Sequence, residues 1–233
     1  MIIGGIQKNS FIDYPDKISC VLFLAGCNFH CPYCHNPDLA RGIPVYGPLL
    51  DEKSICKFLE RRRDFLDGVV ISGGEPTLQK ELLPLCEKIK NMGYHLKLDS
   101  NGSRPKVVQK LINEKLVDYI AMDIKSDPYQ YASLIKKGEN PDSILSTIQI
   151  IMESSVKYEF RTTCVKPFVN EEVVRRISRI IKGSMLYVLQ QFHYTHILEP
   201  DFFQNNNYCY NDDELIRLQS IAKQWVKECV CRL

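Results

Sequence analysis

Short apolar runs alternate with helix-length segments along most of this chain, and this alternation restricts the possible folds more than any other sequence feature. Six runs have the length and composition of β-strands, and several are apolar almost throughout, as expected for strands covered on both faces. The predicted strands are 19–24, 68–72, 95–99, 119–123, 158–163 and 185–190. The predicted helices are about 51–63, 80–92, 105–114, 144–153, 171–181 and 212–228.

This order predicts an α/β fold with parallel strands. Right-handed helical connections would curl six such strands into a parallel sheet or a partial (β/α)6 barrel of the TIM-like kind. No repeat, low-complexity tract or Ser/Gly-rich linker divides the 233 residues, so we expect a single domain over 1–233. Ligands of such folds bind at the carboxyl ends of the strands, which is therefore where a site is expected.

Chemically distinctive residues follow the predicted strands repeatedly. A cysteine-rich segment at 27–34 follows the first strand, Gly-Gly-Glu-Pro at 73–76 the second, and Asp-Ser-Asn-Gly at 99–102 the third. Asp-Ile-Lys at 123–125 ends the fourth strand, and Gln-Phe-His at 191–193 follows the sixth. Because the carboxyl ends of parallel strands share one edge of a sheet, we expect these segments to form one site.

Three cysteines, Cys27, Cys31 and Cys34, lie within eight residues at C-x3-C-x2-C spacing. Thiolates this close together can bind one iron–sulfur cluster. An electron-transfer [4Fe–4S] cluster takes four cysteines and a structural zinc site takes four ligands, so three thiolates leave one metal position open, as a catalytic site does. Zinc with His30 or His35 as a fourth ligand stays open as an alternative, although the spacing is unlike that of a zinc finger.

The cysteine motif, with Gly-Gly-Glu-Pro on the next strand, resembles the radical S-adenosylmethionine (radical SAM) enzymes. The longer string Cys-Pro-Tyr-Cys-His-Asn-Pro at 31–37 and the lead-in Ser-Phe-Ile-Asp-Tyr-Pro at 10–15 are similar to the activating enzymes of glycyl-radical proteins. Asp16 departs from that pattern, which has glycine after the proline, and this puts the turn there in doubt. The resemblance covers about residues 10–200 and implies the radical SAM type of partial barrel.

The resemblance implies a single [4Fe–4S] cluster, with Cys27, Cys31 and Cys34 as the metal ligands and S-adenosylmethionine on the remaining iron. The Gly-Gly-Glu segment would bind the methionine amino group, and Tyr33 and His35 would contact adenine. For the Gly-Gly-Glu segment the alternative is an ordinary strand-to-helix turn. For Tyr33 it is shielding of the cluster, and for His35 it is a surface or capping role. The residues expected to bind the cofactor are Tyr33, His35, Gly73, Gly74, Glu75, Asp99, Ser100, Asn101, Asp123, Lys125, Arg161 and His193.

Asp99, Ser100 and Asp123 correspond, by the same resemblance, to groups that bind a monovalent cation beside the cofactor carboxylate. Oxygen ligands are what a hard cation needs. Helix capping by Asp99 or Ser100, and structural hydrogen bonding by Asp123, are equally good alternatives. Asn101 could simply form the turn with the glycine that follows it.

Three further residues carry weaker predictions. Lys125 follows Asp123 by two positions, which places both on one face of a strand, so it could neutralise the cofactor carboxylate; a surface lysine is the ordinary alternative. Arg161 lies in the middle of an apolar-aromatic run, where a charge must pair or line a cavity. His193 matches the ribose-contacting histidine of the resembling activases by order alone.

Charge and hydropathy exclude several other classes of protein. The 30 Lys and Arg balance 28 Asp and Glu, so a net charge of +2 gives no electrostatic reason to expect a nucleic-acid substrate. The longest apolar run, 20–25, is too short to span a membrane. Met-Ile-Ile-Gly-Gly at the start lacks the features of a signal peptide, so we expect a cytoplasmic protein. In that compartment ten cysteines favour a metal or redox site over disulfides.

The other cysteines carry less information. Cys20, Cys56 and Cys86 fall in predicted strands or helices and are expected to be small core residues. Cys164 ends the fifth predicted strand and could face the cavity. The C-terminal thiols lack a tight motif, so a redox pair or a metal site there is weakly indicated; they are Cys209, Cys229 and Cys231.

The resemblance implies an oxidoreductase that cleaves S-adenosylmethionine reductively to a 5′-deoxyadenosyl radical and removes hydrogen from a glycine of a partner glycyl-radical enzyme. The lead-in motif favours the anaerobic ribonucleoside-triphosphate reductase as partner, and family analogy suggests flavodoxin or ferredoxin as electron donor. One alternative is a radical SAM enzyme that acts on a small molecule, like 7-carboxy-7-deazaguanine synthase. The other is a non-catalytic zinc or electron-transfer module.

Overall fold

The computed structural model describes residues 1–44, 50–133, 140–203 and 208–232. Within these residues the strands form one eight-stranded sheet, and their order in space follows their order in the chain. The strands are β1 Ile3–Ser10, β2 Ser19–Leu24, β3 Gly68–Gly73, β4 His95–Ser100, β5 Tyr119–Asp123, β6 Lys157–Cys164, β7 Leu186–Gln191 and β8 Glu228–Arg232. The helices are α1 Pro37–Arg41, α2 Glu52–Arg61, α3 Leu82–Asn91, α4 Pro105–Asn113, α5 Asp142–Glu153, α6 Glu171–Ile180 and α7 Asp212–Ala222.

The predicted α/β fold with parallel strands is confirmed. The six predicted strands correspond to β2 through β7, and each of these pairs with its neighbour in parallel. Helices separate these strands along the chain.

Both edges of the sheet differ from the prediction. β1 pairs with β2 in antiparallel orientation, and its sequence, Ile-Gly-Gly-Ile-Gln-Lys-Asn-Ser, contains two glycines and a polar half that conceal a strand. At the other edge, the helix predicted at 212–228 ends at Ala222, and residues 228–232 form β8, parallel to β7. The sequence therefore predicts the centre of the sheet but not its two edges.

The register of the sheet brings the carboxyl ends of the strands together. Leu24, the last residue of β2, pairs with Gly73, the last residue of β3. Across the next strands Asp123, which ends β5, pairs with Arg161 of β6. The segments singled out in the sequence therefore meet along one edge.

Apolar residues pack on both sides of the sheet. The larger core lies between the sheet and the helices, and includes Leu22, Leu98 and Leu111. A second, smaller cluster on the other face contains Tyr14 and four strand residues, Val21, Val70, Tyr119 and Ala121. No helix in the described residues is long and apolar enough to span a membrane.

Local sequence signals explain where the helices begin. Asp51 accepts a hydrogen bond from the Ser54 amide at the start of α2, and Asn211 forms a capping box with Glu214 at the start of α7. Pro105 occupies the first turn of α4, where a missing amide proton costs nothing.

Candidate active site

A cavity of about 260 Å³ lies at the carboxyl edge of the sheet. Its lining comes from the loop after β2 and from the ends of β3, β4, β5, β6 and β7. The residues that line it are Cys27, Phe29, Cys31, Tyr33, Cys34, His35, Asn36, Ala40, Ser72, Gly73, Gly74, Asp99, Ser100, Asn101, Asp123, Lys125, Arg161, Thr163 and Gln190. The lining includes all of the site residues predicted from the sequence except Glu75 and His193.

The Gly-Gly turn allows two strand ends to pack against each other. Gly73 has a φ of 115°, and a Cβ there would lie 2.4 Å from the Leu24 carbonyl oxygen. A Cβ on Gly74 would lie 2.2 Å from the carbonyl oxygen of Gly26, the residue that precedes the first cysteine of the motif. The resemblance predicts that this segment binds the methionine amino group. In the structure, the absence of side chains at these glycines also lets the cysteine loop pack closely against the end of β3.

Glu75 lies behind the cavity and not in its lining. Its side chain is fully buried, and its carboxylate accepts hydrogen bonds from the Thr77 amide at 3.1 Å, the Ser100 hydroxyl at 2.9 Å and the Asn101 amide at 2.6 Å. Burial raises the pKa of the Glu75 carboxyl above its ordinary value, although these hydrogen bonds oppose the shift. Glu75 therefore links the ends of β3 and β4, which is a positioning role distinct from the predicted contact with the cofactor.

The three cysteines of the motif face the same cavity from one loop. Burial raises the pKa of Cys27 to about 11 and the pKa of Cys31 to about 12, so both thiols carry protons at neutral pH until a metal displaces them. The Phe29 amide lies 3.3 Å from the Cys27 sulfur, and the Asn101 side-chain amide lies 3.9 Å from it. These donors would stabilise a thiolate at Cys27.

This donor set suits a cluster that contains several irons. Three thiols border one cavity, and each can bind a different iron of a [4Fe–4S] cluster. Among the described residues, no three Cys, His, Asp or Glu side chains lie close enough together to hold a single metal ion. The zinc alternative therefore has no support from the described geometry.

Charged side chains form another part of the cavity wall. Arg161 joins two carboxylates, with its Nε 2.7 Å from Asp123 and its Nη1 3.3 Å from Asp99. Lys125 Nζ lies 2.9 Å from the second oxygen of Asp123. Burial acts to raise the pKa of Asp123, but the charges of Arg161 and Lys125 outweigh it and lower that pKa. The same pairing raises the pKa of Lys125, which keeps a positive charge at the cavity wall.

Tyr33 and His35 occupy an aromatic part of the wall. Tyr33 is buried against Phe168 and Phe192, and its hydroxyl lies 3.3 Å from the Lys125 carbonyl oxygen. His35 stacks on Phe192 with their ring planes parallel, and burial lowers the pKa of its imidazole. Flat neutral surfaces of this kind suit a nucleobase.

The side chain of His193 is exposed and does not line the cavity. Its backbone carbonyl oxygen lies 2.9 Å from His35 Nε2, so the chain at 193 fixes His35 through the main chain. The following residues continue across the cysteine loop: the Glu199 amide donates to the Pro32 carbonyl at 3.0 Å, and the Glu199 carboxylate contacts His30. The predicted ribose contact by the His193 imidazole is not part of this geometry.

Sequence reasoning missed several residues of the site. Lys97 of β4 is buried beneath the cavity with its ammonium against Asp99. Lys97 lies between the apolar Leu96 and Leu98 of a predicted strand, which was a signal that could have been used. Thr163 and Gln190 line the cavity because alternate residues of β6 and β7 face it, which requires knowledge of the register. Cys164 points away from the cavity and is fully buried, contrary to expectation.

Asp16, the departure from the motif at 10–15, has a φ of 60°. This left-handed conformation is favoured by glycine and tolerated by aspartate, so the turn needs no other geometry than the one glycine would give it. The motif itself lies in the connection between β1 and β2, at the amino end of β2, whereas the cavity lies at the carboxyl ends of the strands.

Comparison with known proteins agrees with these features. Residues 21–180 match the family model of the radical SAM superfamily. A Methanocaldococcus jannaschii protein whose name assigns it to the glycyl-radical enzyme activating enzymes is 36% identical over 240 residues, covering 99% of this chain and 95% of its own. The pyruvate formate-lyase-activating enzyme of Clostridium pasteurianum is 31% identical over 189 residues, covering 78% of this chain and 76% of its own.

The fold also matches solved structures. Streptococcus suis SuiB bound to S-adenosylmethionine superposes with a TM-score of 0.66 over 91% of this chain, at 14% identity. This chain spans about half of the SuiB chain, 52% of its length. At this identity the match shows the fold alone.

Proposed function

Because this chain belongs to the radical SAM superfamily and to its glycyl-radical enzyme activating enzymes, we propose that the cavity at the carboxyl edge holds one [4Fe–4S] cluster beside S-adenosylmethionine. One observation carries the assignment to this cavity: three thiols and the positively charged side chains of Lys125 and Arg161 border the same space. The thiols of Cys27, Cys31 and Cys34 would hold the cluster. A methionine carboxylate would be attracted to the charges of Lys125 and Arg161.

The other lining residues have roles that follow from their chemistry. Backbone carbonyl groups of Gly73 and Gly74 would accept hydrogen bonds from the methionine ammonium. Tyr33 and His35 would contact adenine, with His35 held in place by Phe192 and by the main chain at 193. Ser100 and Asn101 would be fixed by the buried carboxylate of Glu75. The exposed imidazole of His193 would reach the ribose only if the loop moved inward.

When bound and reduced, a cluster held by Cys27, Cys31 and Cys34 would supply the electron that cleaves S-adenosylmethionine into methionine and a 5′-deoxyadenosyl radical, which would remove a hydrogen atom from a glycine Cα of the partner. The chain contributes orientation and exclusion of water. The rings of Phe29 and Tyr33 are almost completely buried at the cavity wall, so that side of the site is shielded from solvent.

We propose the anaerobic ribonucleoside-triphosphate reductase as the glycyl-radical partner. The support is the lead-in motif at 10–15, which lies away from the cavity and therefore acts as a family marker only. A flavodoxin or ferredoxin is proposed as the electron donor by analogy with the family. A monovalent cation at Asp99, Ser100 and Asp123 stays a prediction of the resemblance.

The experiment is anaerobic reconstitution with iron and sulfide, followed by reduction with dithionite in the presence of S-adenosylmethionine. We expect formation of 5′-deoxyadenosine, and we expect a Cys31→Ser variant to abolish it with loss of cluster absorbance. Cys56→Ser, which changes a half-buried cysteine on α2 away from the cavity, is the matched control and should retain both signals. Absence of 5′-deoxyadenosine from a fully reconstituted protein would refute the proposal.

The partner is tested separately. The reduced protein is mixed with an anaerobic ribonucleoside-triphosphate reductase or with pyruvate formate-lyase, and the glycyl radical is measured by electron paramagnetic resonance. A radical on the reductase alone supports the proposed partner, and a radical on the lyase alone contradicts it. Cleavage of S-adenosylmethionine without a radical on either protein would favour the alternative, an enzyme that acts on a small molecule.

A further inference from the structure

A layer of paired charges lies on the inner face of the sheet, and most of its members line the cavity. Lys97 and Asp99 alternate with apolar residues of β4 and face the same side as Asp123 of β5 and Arg161 of β6. Lys97 is only 1% exposed, and its ammonium contacts the Asp99 carboxylate. Unlike Lys125 and Arg161, it does not line the cavity.

Each oxygen of the two carboxylates already accepts a hydrogen bond from the chain. In Asp99, one oxygen faces Lys97, and the other accepts from Ser72 at 3.2 Å and from Arg161 at 3.3 Å. In Asp123, one oxygen accepts from Arg161 at 2.7 Å and the other from Lys125 at 2.9 Å. A metal cation at these oxygens would have to share them with these donors and would lie close to like charges, which repel it.

Lys97 has little freedom to move aside. Its ammonium is enclosed by β-strands, and besides Asp99 the described contacts give it the face of the Tyr119 ring, 6.0 Å from the ring centre. Moving a buried ammonium away from its carboxylate would leave an unpaired charge in a poorly solvated interior, which is strongly unfavourable. Burial acts to raise the pKa of Asp99, but the charges of Arg161 and Lys97 outweigh it and lower that pKa, so Asp99 keeps its negative charge.

We propose that Lys97 is a built-in counter-ion that supplies, at Asp99, the positive charge that a monovalent cation would otherwise supply. This inference rests on the proposed function, since the charge matters through the cofactor that Arg161 would bind. Lys97 acts through another residue: it holds Asp99, and Asp99 in turn holds the guanidinium of Arg161 against the cavity. Lys97 is thus a positioning residue, and S-adenosylmethionine binding is indifferent to the choice of monovalent cation.

The first test measures the affinity of the reconstituted protein for S-adenosylmethionine by equilibrium dialysis. Buffers of equal ionic strength contain potassium, sodium or tetramethylammonium, which is too large to enter the site. We expect the wild-type affinity to agree within about twofold among the three buffers. In Lys97→Met we expect a loss of about tenfold in tetramethylammonium, and recovery in potassium or sodium as a small cation takes the vacated position.

The second test needs neither cluster nor cofactor. Broadening of the ²³Na resonance by the unliganded protein reports saturable sodium binding. The matched control is Lys157→Met, because Lys157 lies at the exposed start of β6. We expect this variant to show no saturable sodium binding beyond the wild-type background. We expect Lys97→Met to add one saturable site that potassium displaces, and Lys97→Met combined with Asp99→Asn to remove it.

The double variant also controls for folding, because it removes both partners of the buried pair and leaves no unpaired charge. Wild-type binding of S-adenosylmethionine that requires sodium or potassium would overturn the inference, as would a Lys97→Met protein that gains no sodium site. A wild-type protein that binds no S-adenosylmethionine in any buffer would instead refute the proposed function. The sodium measurement would still decide the role of Lys97 in that case.

Discussion

Glu75 positions residues of this site although its own side chain does not line the cavity. Its carboxylate accepts hydrogen bonds from backbone amides of two turns. The Thr77 amide donates to one oxygen and the Asn101 amide donates to the other. A glutamine has the same size but must turn its amide group toward one of these two donors. The position therefore requires an acceptor on both sides, which only the carboxyl group provides.

We expect Glu75→Gln to lower the free energy of unfolding by about 2 kcal/mol, because one buried backbone amide loses its acceptor. Urea unfolding of the unliganded protein under anaerobic conditions measures this loss. Glu60→Gln, on the exposed side of α2, is the control and should change the free energy of unfolding by less than about 0.5 kcal/mol. Equal stability of Glu75→Gln and wild type would show that the bridge between β3 and β4 is unimportant.

Asp123 gives the site a defined response to acid. Arg161 and Lys125 hold its pKa below the ordinary value of 3.8 in the folded protein, against the effect of burial. A depressed carboxyl pKa contributes stability at pH values above the unfolded-state pKa, and this contribution is lost as the pH falls toward the folded-state pKa. We expect Asp123→Asn to be less stable at neutral pH and to lose less additional stability below about pH 4 than wild type.

The measurement is the urea midpoint as a function of pH for both proteins. Glu172→Gln serves as the control, since Glu172 pairs with Arg176 on the surface of α6 and should leave the shape of the pH profile nearly unchanged. Parallel profiles for Asp123→Asn and wild type would contradict the assignment of acid sensitivity to Asp123.

At the scale of elements, β8 supplies one partner of an ion pair whose carboxylate is buried. Arg232 donates to both oxygens of Glu159 on β6, at 3.1 and 2.6 Å, and Glu159 is only 1% exposed. Arg161 lies 3.8 Å from the same carboxylate, which connects this pair to the charged wall of the cavity. The last strand of the described chain thus completes the charge balance below the site.

We expect Arg232→Met to destabilise the protein by about 2 kcal/mol, less than for a fully buried pair because Arg232 is itself partly exposed. The combined variant Arg232→Met and Glu159→Gln should regain part of this loss, because no buried carboxylate is left without its partner. Thermal unfolding of the three variants and wild type measures the coupling. Strictly additive effects would indicate that the two side chains act independently.

At the same scale, local sequence explains why six strands could be predicted and two could not. The strands β2 to β7 are mostly short apolar runs, and helix-length segments separate them. β1 carries Gly4, Gly5 and a polar half, and β8 is only five residues long and follows directly on a helical pattern. Both lie at sheet edges, where one side needs no partner strand and the sequence is less constrained.

At the scale of the whole molecule, the carboxyl and amino ends of the parallel strands present different surfaces. The cavity lies at the carboxyl ends of the parallel strands, whereas two adjoining hollows near residues 14–17 and 154–157 lie at the opposite ends. A glycyl-radical partner must bring its glycine close to the cofactor, since hydrogen-atom transfer requires near contact. Docking is therefore expected at the cavity edge alone.

We expect amide hydrogen exchange in the presence of the partner to slow at residues 126–131 and 192–203, which follow strands on the cavity side. Residues 14–17 and 154–157 provide the internal control and should exchange at the same rate with and without the partner. Mass spectrometry of the anaerobic mixture gives both readings in one experiment. Protection at the opposite edge alone would contradict this mode of docking.

The sequence by itself determined the parallel α/β core, the cysteine loop and most of the residues around the cavity. It could do so because parallel strands place their carboxyl ends at one edge whatever the details of packing, so residues after each strand converge. Only the tertiary structure decided the burial of Glu75, the outward position of His193 and the pairing of Lys97 with Asp99. These depend on strand register and on the direction of individual side chains, which are set by packing between segments far apart in the chain.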